Sequence, residues 1–363
     1  MIPREREQPQ RSRHRRWCRR PSAAAASAGS NLRRAIESVE SSVEKRAEPK
    51  STNSKANASL IRLNTKSSSI MSNLDVSNRS SRRGSYNPSG IDFKKSGSPA
   101  IADKLTSDVF SDDFPPMDWA DVGLLIPHEA IRRQMTAMVD SVAALPDDST
   151  DDSAWKVTLF AEWYCDYFYD TVEEHHDAEE KIYFPWIKEK AEYPEKEFSK
   201  SHEELVAAMT IIKDVCEKIL NKKGSDCAEE ITSLKEKIPA FNTDMRQHLK
   251  EEEQTIPAIL RENFTQEEEG KIVEKILQAG GLTMAKVFLP AVVLAIQEWA
   301  TKDFYEQFLA SMPPPIKHLL FKYYLPDHQT FVIPMRDAPT LDEKPKLSKV
   351  GCCGISFCFP CIL

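Results

Sequence analysis

Four segments between Phe114 and Asn263 repeat their apolar residues at intervals of three and four, and each of these stripes is interrupted by one histidine. The first stripe holds Leu124, His128, Ile131, Met135, Met138 and Val142, and the second Phe168, Val172, His175, Glu179, Ile182 and Trp186. The third holds Phe198, His202, Leu205, Met209, Ile212, Cys216 and Ile219, and the fourth Ile238, Phe241, Met245, His248, Glu252, Thr255 and Ile259. That period is the period of an α-helix with one buried face. The polar breaks at Leu145–Ser153, around Pro194 and at Asn221–Asp226 separate the four. The stretch is therefore predicted to be all-α, an up-down four-helix bundle over residues 117–262.

The polar intrusions limit the chemistry. A single histidine on an apolar helix face is most often a hydrogen-bonded core residue, and a glutamate there is costly unless paired or bound to metal. Here all four helices repeat the intrusion, and two carry His-x-x-x-Glu, which sets both side chains one turn apart on one face. His128 to His175 spans 47 residues and His202 to His248 spans 46, so two helix–loop–helix halves of nearly equal length bring their ligands to similar depth. Four imidazoles and two carboxylates exceed what one tetrahedral zinc requires, whereas carboxylates can bridge two hard cations. The predicted metal ligands are His128, His175, Glu179, His202, His248 and Glu252. The stripe favours Glu179 over Glu180, His175 over His176, and Glu252 over Glu251 and Glu253. Glu180, Glu251 and Glu253 are assigned to solvated helix edges, and His176 is left open.

These residues carry a family resemblance. His175-His176-Asp177-Ala178-Glu179-Glu180 followed by Tyr183-Phe184-Pro185 resembles the signature of the hemerythrin-like, or HHE cation-binding, domain. His248-Leu249-Lys250-Glu251-Glu252-Glu253 followed by Ile256-Pro257 resembles its second copy. His128 with Ile131-Arg132 and His202-Glu203-Glu204-Leu205 are similar to the family's first-helix and third-helix histidines. The resemblance implies a non-haem site of two iron ions, with Glu179 and Glu252 bridging them. His128 and His175 would serve one iron, and His202 and His248 the other. Oxygen-carrying members have a fifth histidine one turn before the third-helix ligand, where this chain has Phe198, and their last motif is one residue longer than His248-x-x-x-Glu252. A position is then left open, or is filled by water or His176. The pattern resembles the sensor and iron-handling members more than the carriers. The implied small ligands are dioxygen, nitric oxide or peroxide, and a binding module is favoured over an enzyme. The alternatives are a di-iron oxidase or peroxidase, an iron storage or handling protein, and a helical scaffold with a vestigial site. The second-helix aromatics Trp163, Tyr164, Tyr167, Phe168 and Tyr169 are expected to be core contacts in preference to lining a dry pocket.

Composition matters mainly for the ends. Residues 1–100 carry 21 Lys and Arg against 8 Asp and Glu, a net of +13 within a chain whose total is −7. Residues 1–112 are expected to be a disordered basic Ser/Arg-rich tail, because so few large apolar side chains cannot offset chain entropy. Competing readings are an organelle transit peptide, plastid or mitochondrial, which Glu5 and Glu7 oppose, a basic arm for nucleic acid or anionic lipid, and a kinase site at Arg82-Arg83-Gly84-Ser85. No nucleic-acid partner is clear, and Met71 opens a plausible shorter product. Residues 264–335 are expected to add helices, one opened by the Thr265/Glu268 capping box and closed by Gly280-Gly281, the next an apolar helix near Met284–Trp299. His318 and His328 fall outside the ligand pattern and are read as structural or surface residues. The uncharged stretch Val287–Gln297 is too short to span a bilayer and is expected to be buried. Half of the eight cysteines, Cys352, Cys353, Cys358 and Cys361, lie in a flexible tail over 336–363, downstream of Lys344, Lys346 and Lys349. This is the pattern of a reversibly acylated anchor, with a soft-metal tail as the alternative. The expected location is the cytoplasm, at a membrane surface if the tail is acylated. With no apolar signal at the start, a reducing compartment without disulfides is expected.

Overall fold

The computed structural model describes residues 99–101, 104–110 and 117–349. The chain divides into two units, Met1–Thr65 and Lys66–Leu363. The first lies outside the described residues, and all the described helices belong to the second. The basic segment as far as residue 98, including Arg82-Arg83-Gly84-Ser85, and the four C-terminal cysteines also lie outside them.

The described residues are all-α, with no strand and one isolated bridge between Ala100 and Ala300. Helix α1 is Trp119–Ala143. Helix α2 runs over residues 154–188 and includes two wider π-turns, Tyr164–Phe168 and Glu179–Tyr183. Helix α3 is Glu195–Asn221 and α4 is Ala228–Asn263. Beyond them lie α5 (Gln266–Thr283), α6 (Leu289–Trp299), α7 (Lys302–Ser311) and short helical turns ending at Thr340. Helix α1 packs on α4, α4 on α3, and α3 on α2, while α6 covers another flank of α1.

Local chemistry sets the helix ends. Asp118 caps α1 by accepting from Ala120 N, and Asp121 reaches back to Asp118 N, so two orphan donors are satisfied reciprocally. Arg261 of α4 ties both acids down through Asp118 and Asp121. The α3–α4 turn is a Schellman closure, with Lys223 N donating to Leu220 O and Gly224 N to Ile219 O. Thr265 and Glu268 form the expected capping box at the start of α5. Gly280-Gly281, expected to close α5, instead lie within it; the axis turns by 101° between Gln266–Gly280 and Met284–Trp299. A β-carbon on Gly280 would come within 2.8 Å of Met284 Cβ, so the glycine serves a tight bend rather than a cap.

Prolines mark the π-turns. In the four pairs Phe184-Pro185, Leu289-Pro290, Leu325-Pro326 and Ile333-Pro334, a π-turn ends immediately before the pair. Proline cannot donate to the carbonyl four residues back and crowds it, and a wider turn relieves that clash. Pro127, Pro239 and Pro257 lie inside α-helices without such widening. The π-turn Tyr164–Phe168 has no following proline, and nothing in the structure explains it.

Two apolar clusters sandwich a polar layer. One includes Ile131, Met135, Val172, Leu205, Met245 and Leu249, and the other Leu124, Tyr183, Phe184, Phe198, Ile256 and Leu260. Along α1 and α3 the second cluster's residues all precede the histidine, although Val122 and Leu125 of the first cluster also lie before His128 on α1. Along α2 and α4 the second cluster's residues all follow the histidine. The second-helix aromatics are core contacts: Trp163 and Tyr164 each pack on Phe168 at a tilt, and Phe168 meets Phe241 edge-on.

The expected buried helix is found at Leu289–Trp299, where Val293, Ile296 and Trp299 are fully inside. Among the described residues no single helix is long and apolar enough to cross a membrane. His318 is exposed and His328 is buried, and neither belongs to the clustered metal-ligand groups. The described cysteines, Cys165, Cys216 and Cys227, are free thiols.

Gly224 has φ +76°, and a β-carbon there would lie 2.3 Å from Ala154 O and 2.4 Å from Thr158 Oγ1. Gly224→Ala is therefore expected to destabilise the chain by about 1–3 kcal/mol, read from urea unfolding monitored by circular dichroism. Wild-type stability in this variant would contradict the tight packing of the α3–α4 turn on α2.

Candidate metal centre

Helix period and burial together build the polar layer. His128 of α1, His175, His176 and Glu179 of α2, His202 of α3, and His248 and Glu252 of α4 are all buried, none more than 6% exposed. All six residues chosen from the stripes meet there. Three sets have ligand atoms within 4.8 Å of one another: His128, His175 and Glu179; His176, His202 and His248; and Glu179, His202 and Glu252.

The two carboxylates sit between the imidazoles. Glu179 Oε1 lies 3.4 Å from His175 Nε2 and 3.9 Å from His128 Nε2, while Oε2 lies 3.5 Å from His202 Nε2. Glu252 Oε1 lies 3.4 Å from His248 Nε2 and 3.5 Å from His202 Nε2, and Oε2 lies 3.4 Å from His128 Nε2. Each carboxylate thus faces histidines of the set with His128 and His175 and of the set with His176, His202 and His248. Eight buried atoms here have no hydrogen-bond partner: His128 Nε2, His175 Nε2, both His176 nitrogens, and both oxygens of Glu179 and of Glu252. Buried polar atoms are almost always paired, so this convergence of unpaired lone pairs suits cations.

His176 joins the site beside the six. Its ring stacks on His202 with centroids 4.3 Å apart and meets His248 edge-on at 5.5 Å. The sequence stripe favoured His175 because it follows one line along the helix. One residue further turns the side chain by about 100°. His175 then meets His128 of α1, while His176 faces α3 and α4. Phe198 is buried against Phe184 and edge-on to His248, closing the site with an apolar wall at that end.

Two residues assigned to solvated edges are found elsewhere. Glu253 is buried and accepts from His128 Nδ1 at 2.9 Å and from Arg132 Nη2 at 2.5 Å. Glu180 is half-buried and accepts from His202 Nδ1 at 2.8 Å and from Ser199 Oγ at 3.1 Å. Both corrections have the cause seen at His176: the i+1 position faces the neighbouring helix rather than solvent. Glu251 is exposed, as expected. Ser201 Oγ meets His248 Nδ1 at 3.1 Å. The outer nitrogens of three histidines are therefore held, which orients their Nε2 atoms toward the centre.

The charges balance accordingly. Burial alone would lower His128, but the carboxylates of Glu179 and Glu253 more than offset this and lift it to about 9. His202 is likewise lowered by burial and lifted to about 9 by Glu252, Glu179 and Glu180. Burial and neighbouring imidazoles hold His175 and His176 well below the usual histidine range. Glu179 is raised by burial and by the charge of Glu252. Burial also opposes ionisation of Glu252, but His248, His202 and His128 outweigh it and keep the carboxylate charged. A cation entering this layer would compete with the protons on His128 and His202.

The same stretch of chain is recognisable by family. Residues 124–260 match the model of the hemerythrin HHE cation binding domain. The chain carries a hemerythrin HHE domain. Comparisons with curated proteins and with solved structures give no match. The matched stretch runs from Leu124 of α1 to Leu260 of α4 and contains all seven buried histidines and glutamates of the layer. Such domains bind metal ions, typically iron, and the clustered side chains here could hold them.

A second buried acid lies just outside the layer. Glu269 of α5 is buried beside Tyr183, one turn beyond Glu179, and a β-carbon on Gly123 of α1 would lie 2.0 Å from its Oε1. Burial, then repulsion from Asp118 with a smaller addition from Asp121, outweighs the lowering effect of Tyr183 and raises its carboxyl to about 8. Arg261 is engaged by the two aspartates. The unfolded chain ionises Glu269 near the ordinary glutamate value of 4.5, so stability falls as pH rises from about 4.5 to 8, by up to about 1.4 kcal/mol per unit. Glu269→Gln should therefore be more stable than wild type at pH 8 and indistinguishable near pH 4.5 in thermal unfolding. An equal gain or loss at both pH values would refute the buried neutral carboxyl.

Proposed function

We propose that this chain is a non-haem di-iron binding protein of the hemerythrin type, with its two ions held across an up-down four-helix bundle by His128, His175, Glu179, His202, His248 and Glu252. The alternating order of the two apolar clusters along α1 to α4 supports the up-down arrangement. The observation that carries the metal reading is the set of eight buried, unpaired donor atoms facing one another between those clusters. Glu179 and Glu252 each face histidines of both sets, which suits bridging carboxylates.

His176 belongs in this reading as a third imidazole beside His202 and His248, in the space where Phe198 supplies no ligand. The donor set is then uneven, three imidazoles on one side against His128 and His175 on the other. The poorer side is the place for a small ligand such as dioxygen, nitric oxide or peroxide. Iron there would supply redox chemistry and Lewis acidity, while the protein's own part is a dry, histidine-rich layer between apolar walls. Among the described residues, no acid or base beyond the ligands and their partners reaches this layer in a way that suggests turnover, so sensing or binding is favoured over catalysis. An oxidase or peroxidase activity and iron storage are the alternatives to be separated by experiment.

The test is anaerobic purification with metal analysis and absorption spectroscopy before and after exposure to oxygen or nitric oxide. Two irons per chain and a spectral change on adding either gas are expected. Glu252→Ala, which removes a carboxylate facing both histidine sets, should lose both ions. One zinc per chain, or no metal, would sink the proposal, and repeated turnover with peroxide would move it to an enzyme.

A further inference from the structure

Residues 104–110 precede the matched domain and belong to the segment whose composition reads as a polar tail. They nevertheless lie against α1 and α4, with Val109 and Phe110 buried in the core. Arg133 Nη2 donates to Lys104 O at 2.6 Å, and Arg246 Nη1 to Thr106 O at 3.3 Å, so both helices grip the backbone of this strap.

Its side chains meet two fully buried carboxylates. Ser107 Oγ donates to Glu253 Oε2 at 2.7 Å. Thr106 donates to Glu129 through its backbone N, at 3.0 and 3.2 Å, and through Oγ1, at 3.0 Å. Both acids share Arg132, whose guanidinium is 1% exposed: Nη2 reaches Glu253 Oε1 and Nη1 reaches Glu129 Oε1 at 3.3 Å. One guanidinium between two buried carboxylates leaves the group short of donors. Arg133 supplies a weaker contact to Glu129 at 3.5 Å, and the strap supplies the rest.

The consequence falls on His128. Its Nδ1 faces Glu253 Oε1 at 2.9 Å. The charged Glu253 accepts a hydrogen bond from Nδ1 and so fixes the ring, with Nε2 directed toward Glu179 and Glu252, where an entering cation would replace the Nε2 proton. Ser107 holds the opposite oxygen of the same carboxylate and so fixes its rotation.

We infer that the strap of residues 104–110 is a built-in positioning element of the metal centre, with Ser107, through Glu253, and Thr106, through Glu129 and Arg132, setting the orientation of His128. This inference rests on the di-iron proposal and extends it to residues outside the matched domain. Ser107 and Thr106 touch no ligand atom of the layer and are positioning residues.

The full chain is titrated anaerobically with Fe(II) against a chromophoric chelator, and separately loaded with Co(II) to read its ligand-field bands. Ser107→Ala is expected to weaken Fe(II) binding about tenfold and to shift the Co(II) bands, with Thr106→Val acting in the same direction. Ser107→Thr, which keeps the hydroxyl, should restore both. In a His128→Ala background Ser107→Ala should change nothing further, which a merely structural contribution would not reproduce. Circular dichroism of each variant checks that the helices are kept, and the milder Thr106→Val variant carries the test if Ser107→Ala unfolds. Wild-type affinity and bands in both Ser107→Ala and Thr106→Val would overturn the inference while leaving the metal reading intact. A wild-type chain that takes up neither ion would overturn the metal reading itself, and this inference with it.

Discussion

Glu179 and Glu252 set the terms for everything around them. Two carboxylates buried between apolar layers are costly to ionise, and their four oxygens lack hydrogen-bond partners. Only cations can offset that cost, whether protons on His128 and His202 or metal ions among all the histidines. The packing of the four helices is arranged to bring those imidazoles to one depth. The outer hydrogen bonds and the proline-marked π-turn beginning at Glu179 lie within a turn or two of this layer.

The layer is organised in successive shells. Innermost are the unpaired Nε2 atoms of His128, His175 and His176, the unpaired oxygens of Glu179 and Glu252, and the Nε2 atoms of His202 and His248, which meet each other at 2.9 Å. Around them Glu253, Glu180 and Ser201 hold the outer nitrogens of His128, His202 and His248. Beyond these, Arg132 and Glu129 form a buried charged cluster on one side, and Phe184 and Phe198 stack as an apolar wall on another. The asymmetry has a chemical meaning. The α1 side is charge-rich and tied to the strap, whereas the α3 side is backed by aromatic rings and carries three imidazoles. Two ions in such surroundings would differ in electrophilicity, as suits a centre that binds a small ligand at one position.

Much of this was legible in the sequence because a helix face is a strict periodic code. A histidine at a core position of all four stripes, followed in two by glutamate at i+4, could hardly be explained by packing. The same strictness hid His176, Glu180 and Glu253. Each follows a chosen ligand by one residue, and a single-line stripe counts that position as an edge. In a bundle the inner edge of a helix meets a second neighbour, so i+1 is also inside. The signal was the doubled motif itself, His175-His176 with Glu179-Glu180 and then Glu252-Glu253, which suits two adjacent faces. Gly280-Gly281 failed for another reason. Glycine permits a cap but equally permits close approach, and Met284 decides between them only in three dimensions.

The strap escaped because its binding energy is not compositional. Thr106, Ser107 and Lys104 are ordinary tail residues, and Val109 and Phe110 are too few to predict burial. What holds them is a deficit elsewhere: Glu129 and Glu253 are 0% exposed at their side chains, and one shared Arg132 cannot satisfy four carboxylate oxygens. A deficit of that kind is created by tertiary packing and cannot be read from either segment alone. It also has a direction. The carboxylates need the strap more than the strap needs them, since its hydroxyls and amides would be satisfied by water if released. An electrostatic centre inside the domain thus recruits neutral donors from outside it, and the price is that the orientation of His128 depends on residues that no ligand motif contains.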